Sequence, residues 1–217
     1  MNSEWSELNK EMQVQLKKRE SFDEGRQTLF RLRKSLYEVL ADMAEALTEG
    51  DLCAMPFPNA KGYHSKTIAY SIWHIARIED ITAHSLIKGD SQIFFSENYD
   101  RRTGSPIITT GNELSGDGIA EFSRKLDRGE LMSYFTDVKN STEKIIGDLD
   151  FSGLKRKFTE KERGYLVSLS CVSEDENAAW LIDYWCGKDV GGLIRMPFSR
   201  HWIMHTEAAL RIRDKLA

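Results

Sequence analysis

Proline interrupts this sequence at only four positions, Pro56, Pro58, Pro106 and Pro197, and the stretches 1–55, 59–105 and 107–196 contain none. A proline inside a helix removes a backbone donor and collides with the preceding turn, so proline-free runs of this length leave the chain free to form long helices. The hydrophobic pattern takes up that freedom. Leu29, Leu32, Leu36, Val39, Leu40, Met43 and Leu47 recur at intervals of three and four, with Arg31, Lys34, Glu38 and Asp42 on the other face. That is the period of an amphipathic helix.

Four segments are expected as core helices, at about 22–49, 65–88, 129–149 and 198–216. The first is expected to start at a capping box of Ser21 and Glu24 and to stop at Gly50. The second carries Ile68, Ile72, Ile75, Ala76 and Ala83, with Ile78 and Ile81 widening the arc. The third follows a capping box of Asp127 and Glu130 and shows a stripe of Leu131, Phe135, Val138, Thr142, Ile145 and Leu149. The last follows Pro197. Residues 3–19 add an N-terminal helical extension through Trp5, Leu8, Met12 and Leu16. Two insertions separate the core helices. Residues 90–128 are polar, glycine-rich and weakly patterned. Residues 150–197 include YLVSLSCVS, readable as helix, strand or loop, and AAWLIDYWC, a short helix behind a Ser173–Glu176 capping box. With no convincing alternating strand pairs, the expected fold class is all-α: one domain over 1–217, built as an antiparallel four-helix bundle.

Composition narrows the function classes. Hydrophobic residues make up 41% of the 217, too many for a disordered chain, and the net charge of −4 offers no basic footprint for nucleic acid. No uncharged run exceeds ten residues, so no membrane span is expected. The opening MNSEWSELNKEMQ lacks the basic and apolar regions of a signal peptide. Cys53, Cys171 and Cys186 are odd in number and form no C-x-x-C pair, which fits a cytoplasmic protein better than a disulfide scaffold.

Five histidines occur, at 64, 74, 84, 201 and 205. In SRHWIMHTEAALRIRDKL, His201 and His205 are four apart, and Ala208, Ile212 and Leu216 continue their line, so both rings face the core. Each buried ring nitrogen needs a partner. A divalent metal satisfies two rings at once, and His74, in TIAYSIWHIARIED, is the best third ligand from another helix. Core histidines hydrogen-bonded to carbonyls or carboxylates remain the alternative. Position 202 is Trp and not Glu, so this is not the zincin motif. His84, about 80° around the helix from His74, is expected to face solvent, His64 to be a solvated loop residue rather than one at the bundle mouth, and Glu79 a capped or salt-bridged surface glutamate rather than an acceptor that fixes a ligand tautomer. Trp180, Tyr184 and Trp185 can wall a pocket or simply pack in the core. Gly191-Gly192 lacks the context of a phosphate loop, and Cys53 and Cys186 are expected as packing residues.

An apolar helix carrying W-H-I-A at 73–76, followed far downstream by R-H-W-I-M-H at 200–205, resembles the DinB superfamily. That family includes bacillithiol transferases and mycothiol-dependent maleylpyruvate isomerases. The resemblance is good over 65–88 and 198–216 and extends to 22–49 and 129–149. It implies a four-helix bundle with a crossover topology, a homodimer, and a divalent ion (Zn, Ni, Mn or Fe) held by His74, His201 and His205. It further implies a metal-dependent thiol S-transferase with a low-molecular-weight thiol as co-substrate and a small-molecule substrate, or a hydrolase if water takes the open position. No general base is assigned. A non-catalytic stress-response or interaction bundle with a structural or absent metal is the alternative. The N-terminal extension and the two insertions depart from the family's compact pattern and bear on the substrate class.

Overall fold

Apolar side chains at helical spacing meet capping residues along most of the chain, and the computed structural model, which describes residues 2–217, is all-helical. A single isolated bridge between Lys157 and Asp189 is the only β-pairing among them. The α-helices are α1 (Ser3–Gln15), α2 (Phe22–Ala46), α3 (Glu49–Leu52), α4 (Ile68–Asp80), α5 (Ile93–Ser96), α6 (Tyr99–Arg102) and α7 (Asp117–Ser123). They continue with α8 (Arg128–Gly147), α9 (Glu160–Ser168), α10 (Trp180–Cys186), α11 (Val190–Arg195) and α12 (His201–Leu216). A π-helical segment, Ile81–Lys88, extends α4, and another, Met196–Arg200, leads into α12. No helix is long and apolar enough to cross a membrane.

The caps only partly follow the sequence. Asp127 accepts from the Glu130 amide at 2.8 Å and starts α8 as expected. Ser21 instead donates to the Gln15 carbonyl at 2.9 Å, tying α1 to α2 without capping α2. Helix α2 ends at Ala46, before Gly50, because Thr48 and Asp51 form their own capping box and open α3. Ser173 accepts from Asp175 in a turn, several residues before α10 begins. YLVSLSCVS divides, with α9 running to Ser168 and a turn beyond it.

Helix α1 folds back on α2: Trp5 Nε1 donates to Ser35 Oγ at 3.0 Å, while Leu16 presses on Gly25. A Cβ at Gly25 would stand 2.9 Å from Leu16 Cδ2, so only glycine admits this approach. Helices α2 and α8 run antiparallel, since Tyr37 shares a 2.8 Å hydrogen bond with Thr136, and Arg128 reaches the Glu45 and Leu47 carbonyls. Helices α4 and α8 instead advance in the same direction: the Trp73 ring meets Tyr134, and His84, beyond the end of α4, meets Ser141.

A same-direction pair needs a connection that travels back along the helix, and residues 90–128 do so along α4. Asp80 accepts from the Ile93 and Phe94 amides, Arg77 donates to the Ile108 carbonyl, Tyr70 donates to the Gly111 carbonyl, and Thr67 pairs with Ser123. The contacts step toward the start of α4 as the connection proceeds. The second insertion is also part of the core. Leu166, Leu181, Trp185, Val190 and Leu193 pack with Leu29, Ile78, Ile81 and Phe198.

Helix α4 is buried along its whole length, charged residues included. Arg33 of α2 donates to both Glu79 oxygens at 2.9 and 2.7 Å, to Glu143 at 3.1 Å and to the Phe198 carbonyl at 3.0 Å. Trp202 Nε1 donates to Glu79 at 2.7 Å. Removing one partner of a fully buried pair leaves the other charge uncompensated, at a cost of about 3–5 kcal/mol. Glu79→Ala should therefore lower stability by that amount in urea unfolding. The Arg33→Met/Glu79→Leu double variant should lose far less than the two single variants together. Additive losses in that cycle would contradict the coupling.

Candidate metal centre

His201 is the first residue of α12 and His205 follows one turn later, while His74 lies mid-way along α4. The ring centroids are 4.9 Å apart for His74 and His201, 4.8 Å for His74 and His205, and 4.5 Å for His201 and His205. One candidate ligand nitrogen from each ring lies within 4.8 Å of the others, and all three side chains are buried. The three histidines singled out from the sequence thus meet at one point.

The hydrogen bonds define the state of one ring. His74 Nδ1 stands 2.7 Å from the Thr110 carbonyl, which can only accept, so Nδ1 carries the proton and Nε2 keeps its lone pair. His201 Nδ1 and His205 Nδ1 are buried with no hydrogen-bond partner. Burial in apolar surroundings, opposed by the Thr110 bond and assisted by the Lys66 charge, lowers the His74 pKa to about 4. Burial, then repulsion between the rings, holds His201 and His205 well below the ordinary histidine value. All three rings are therefore neutral near pH 7, the form that binds metal. Orphaned buried imidazole nitrogens and an all-nitrogen donor set fit a borderline divalent ion such as Zn, Ni or Fe better than Mn, which prefers oxygen. Three histidine ligands would leave a coordination position open on an ion held here.

A cavity of about 570 Å³ opens on the trio. The first insertion contributes Asn112 and Ile119 to its wall, the second Trp180, Tyr184 and Trp185, and Lys66 stands just ahead of α4. No Asp or Glu is among the described residues that line it. The segments that separate the core helices in sequence thus build the walls over the histidines.

Several expectations need correction. Glu79 is fully buried and joined to Arg33 and Trp202; it is not a surface glutamate. His84 is 2% exposed; its Nδ1 donates to Asp90 at 2.7 Å and Ser141 bonds its Nε2 at 3.0 Å. That Ser–His–Asp order matches a hydrolase relay, but Ser141 sits within α8, whose amides are spent on helical bonds, so its own backbone offers no oxyanion donors. His84 instead closes the π-helical end of α4, where its carbonyl accepts from the Gly89 and Asp90 amides at 2.7 and 3.0 Å. His64 is half-buried against Tyr63 and stands outside the trio. The Thr110 carbonyl and Lys66 escaped sequence reading; a backbone acceptor in an unpatterned segment leaves no signal in residue type. No family model matches this chain, and no curated protein matches it.

The depressed histidine pKa values give acid sensitivity a sign. In the unfolded chain these rings take up protons below about pH 6.5, while in the native state they stay neutral, His74 down to about 4. The unfolded state then binds more protons, so metal-free protein loses stability as pH falls below about 6.5, by up to ~1.4 kcal/mol per pH unit for each ring. Urea midpoints of chelator-treated protein between pH 7 and 5 should fall, and less steeply in His205→Gln. Equal slopes in the two proteins would contradict the neutral assignment.

Proposed function

We propose that the chain is a DinB-like metal protein in which α2, α4, α8 and α12 form the four-helix bundle, and that it conjugates a low-molecular-weight thiol to a small electrophile. The observation that carries this reading is the convergence of three buried, neutral imidazoles from two distant helices beneath a cavity. When bound, a divalent ion there supplies the Lewis acidity that lowers a thiol's pKa and keeps it a thiolate at neutral pH. In the proposed conjugation the thiol sulfur would form a C–S bond to the electrophile's carbon, the leaving group would depart with its electron pair, and the thiol proton would pass to solvent.

The chain's own residues supply placement. The Thr110 carbonyl orients His74, the Glu79–Trp202 bond fixes α12 against α4, and the Trp180 and Tyr184 rings pack the electrophile's apolar body. The absence of a lining carboxylate favours a thiol over water as nucleophile. A free thiol near pKa 8.5 needs only a modest shift to ionise, whereas water is a far weaker acid and hydrolysis commonly adds a general base.

Elemental analysis of untagged protein after loading with Zn, Ni, Fe or Mn should find a stoichiometric ion, lost in His74→Ala, His201→Ala and His205→Ala. Conjugation of bacillithiol, mycothiol or glutathione to a generic electrophile should drop at least about 100-fold in the same variants. No stoichiometric metal after reconstitution would defeat the metal reading. Metal without any conjugation would leave the non-catalytic bundle.

A further inference from the structure

Lys66 is the one Lys, Arg, Asp or Glu side chain that lines the cavity over the histidines. Its ammonium lies 4.6 Å from the Tyr70 ring centroid and forms no ion pair among the described residues. The Tyr70 ring in turn stacks on His74 at 5.3 Å, so one aromatic ring touches both the ammonium and the imidazole. Burial lowers the lysine's pKa, which is the sign of a charge held without a counter-ion. The wall is mainly aromatic and aliphatic, with Trp180, Tyr184, Trp185 and Ile119 among its residues, and Asn112 and Asn177 among its polar ones.

A half-buried cation facing a mainly apolar cavity without an anion is costly unless the occupant brings the anion. The three imidazoles add no negative charge, so a divalent ion bound to them would leave its full charge in the same space. Lys66 is the one charged side chain among the lining residues, and its single positive charge balances one carboxylate, whereas a phosphate dianion would leave a negative charge uncompensated in the metal-free cavity. We propose that Lys66 is a specificity-determining residue and that the cavity takes small molecules with a flat apolar body and one carboxylate, the carboxylate pairing with the Lys66 ammonium. The identity of the reacting molecule rests on the thiol-transferase reading above, but the pairing itself requires no metal.

The test is a titration of the protein, both metal-loaded and chelator-treated, with naphthoate and with its neutral isostere naphthamide, read by tryptophan fluorescence and calorimetry. Wild-type protein should bind the carboxylate roughly tenfold more tightly than the amide in both states. Lys66→Met should lose that preference and keep its affinity for the amide, and Lys66→Arg should retain the preference. Circular dichroism of each variant checks that the fold is unchanged. Equal affinity for the two probes in wild type, a preference that survives Lys66→Met, or no binding of either probe at millimolar concentration would each overturn the proposal. Because the chelator-treated arm works without metal, failure of the metal reading and failure of this one are separate results.

Discussion

Arg33 carries its charge to a position without solvent contact, and the groups that compensate it come from three other parts of the chain. Glu79 belongs to α4, Glu143 to α8, and the Phe198 carbonyl to the π-helical turn ahead of α12. The guanidinium also lies over the Trp202 ring, whose Nε1 donates to the same Glu79. Charge-assisted hydrogen bonds of this kind are short and directional, so they hold the helices at one separation where apolar packing alone tolerates sliding. Trp202 is the immediate neighbour of His201, and Glu79 lies a little over one turn beyond His74. The register of the imidazoles across α4 and α12 is therefore set by this buried cluster.

The same logic explains why a connection without a hydrophobic pattern is held along α4. A helix enclosed on every side must find partners for each polar side chain it carries. Arg77, Tyr70 and His74 find theirs in the carbonyls of Ile108, Gly111 and Thr110, and Asp80 finds amides at Ile93 and Phe94. An irregular backbone suits this task, because its donors and acceptors are not consumed within a helix. Residues 90–128 thus serve α4 as a polar lining, and the orientation of His74 is one consequence of that service.

Periodicity disclosed the long helices and, with them, the histidine trio, because apolar spacing and the i, i+4 relation of His201 to His205 survive into the structure. It misread His84 and Glu79 for a shared reason. A helical wheel assigns polar residues to solvent, and α4 has no solvent face. For His84 a second error adds to the first, since a π-helical segment begins at Ile81 and departs from the α-helical turn on which the angle depends. Thr110 had no chance of being read, because its contribution is a backbone carbonyl. The capping signatures split along physical lines. Asp127 caps α8 as its residue type predicts, while Ser21 gives its hydroxyl to a carbonyl of the preceding helix, a competing bond that sequence spacing does not reveal.

Burying three imidazoles close together has opposing consequences for the centre. It is unfavourable to the protonated rings, which makes the metal-free protein vulnerable to acid. For a divalent ion, however, the same burial is preparation. Histidines near their ordinary pKa would have to release protons as an ion entered at mildly acidic pH, and affinity would fall with them. Rings already held neutral, His74 down to about pH 4, meet an ion without that competition. The hydrogen-bonded cluster around Arg33 adds to this by fixing the histidine-bearing helices against each other beforehand, which would lower the entropic cost of binding an ion. What the fold gives up in acid stability it regains as a donor set that is deprotonated, aligned and shielded by the two insertions.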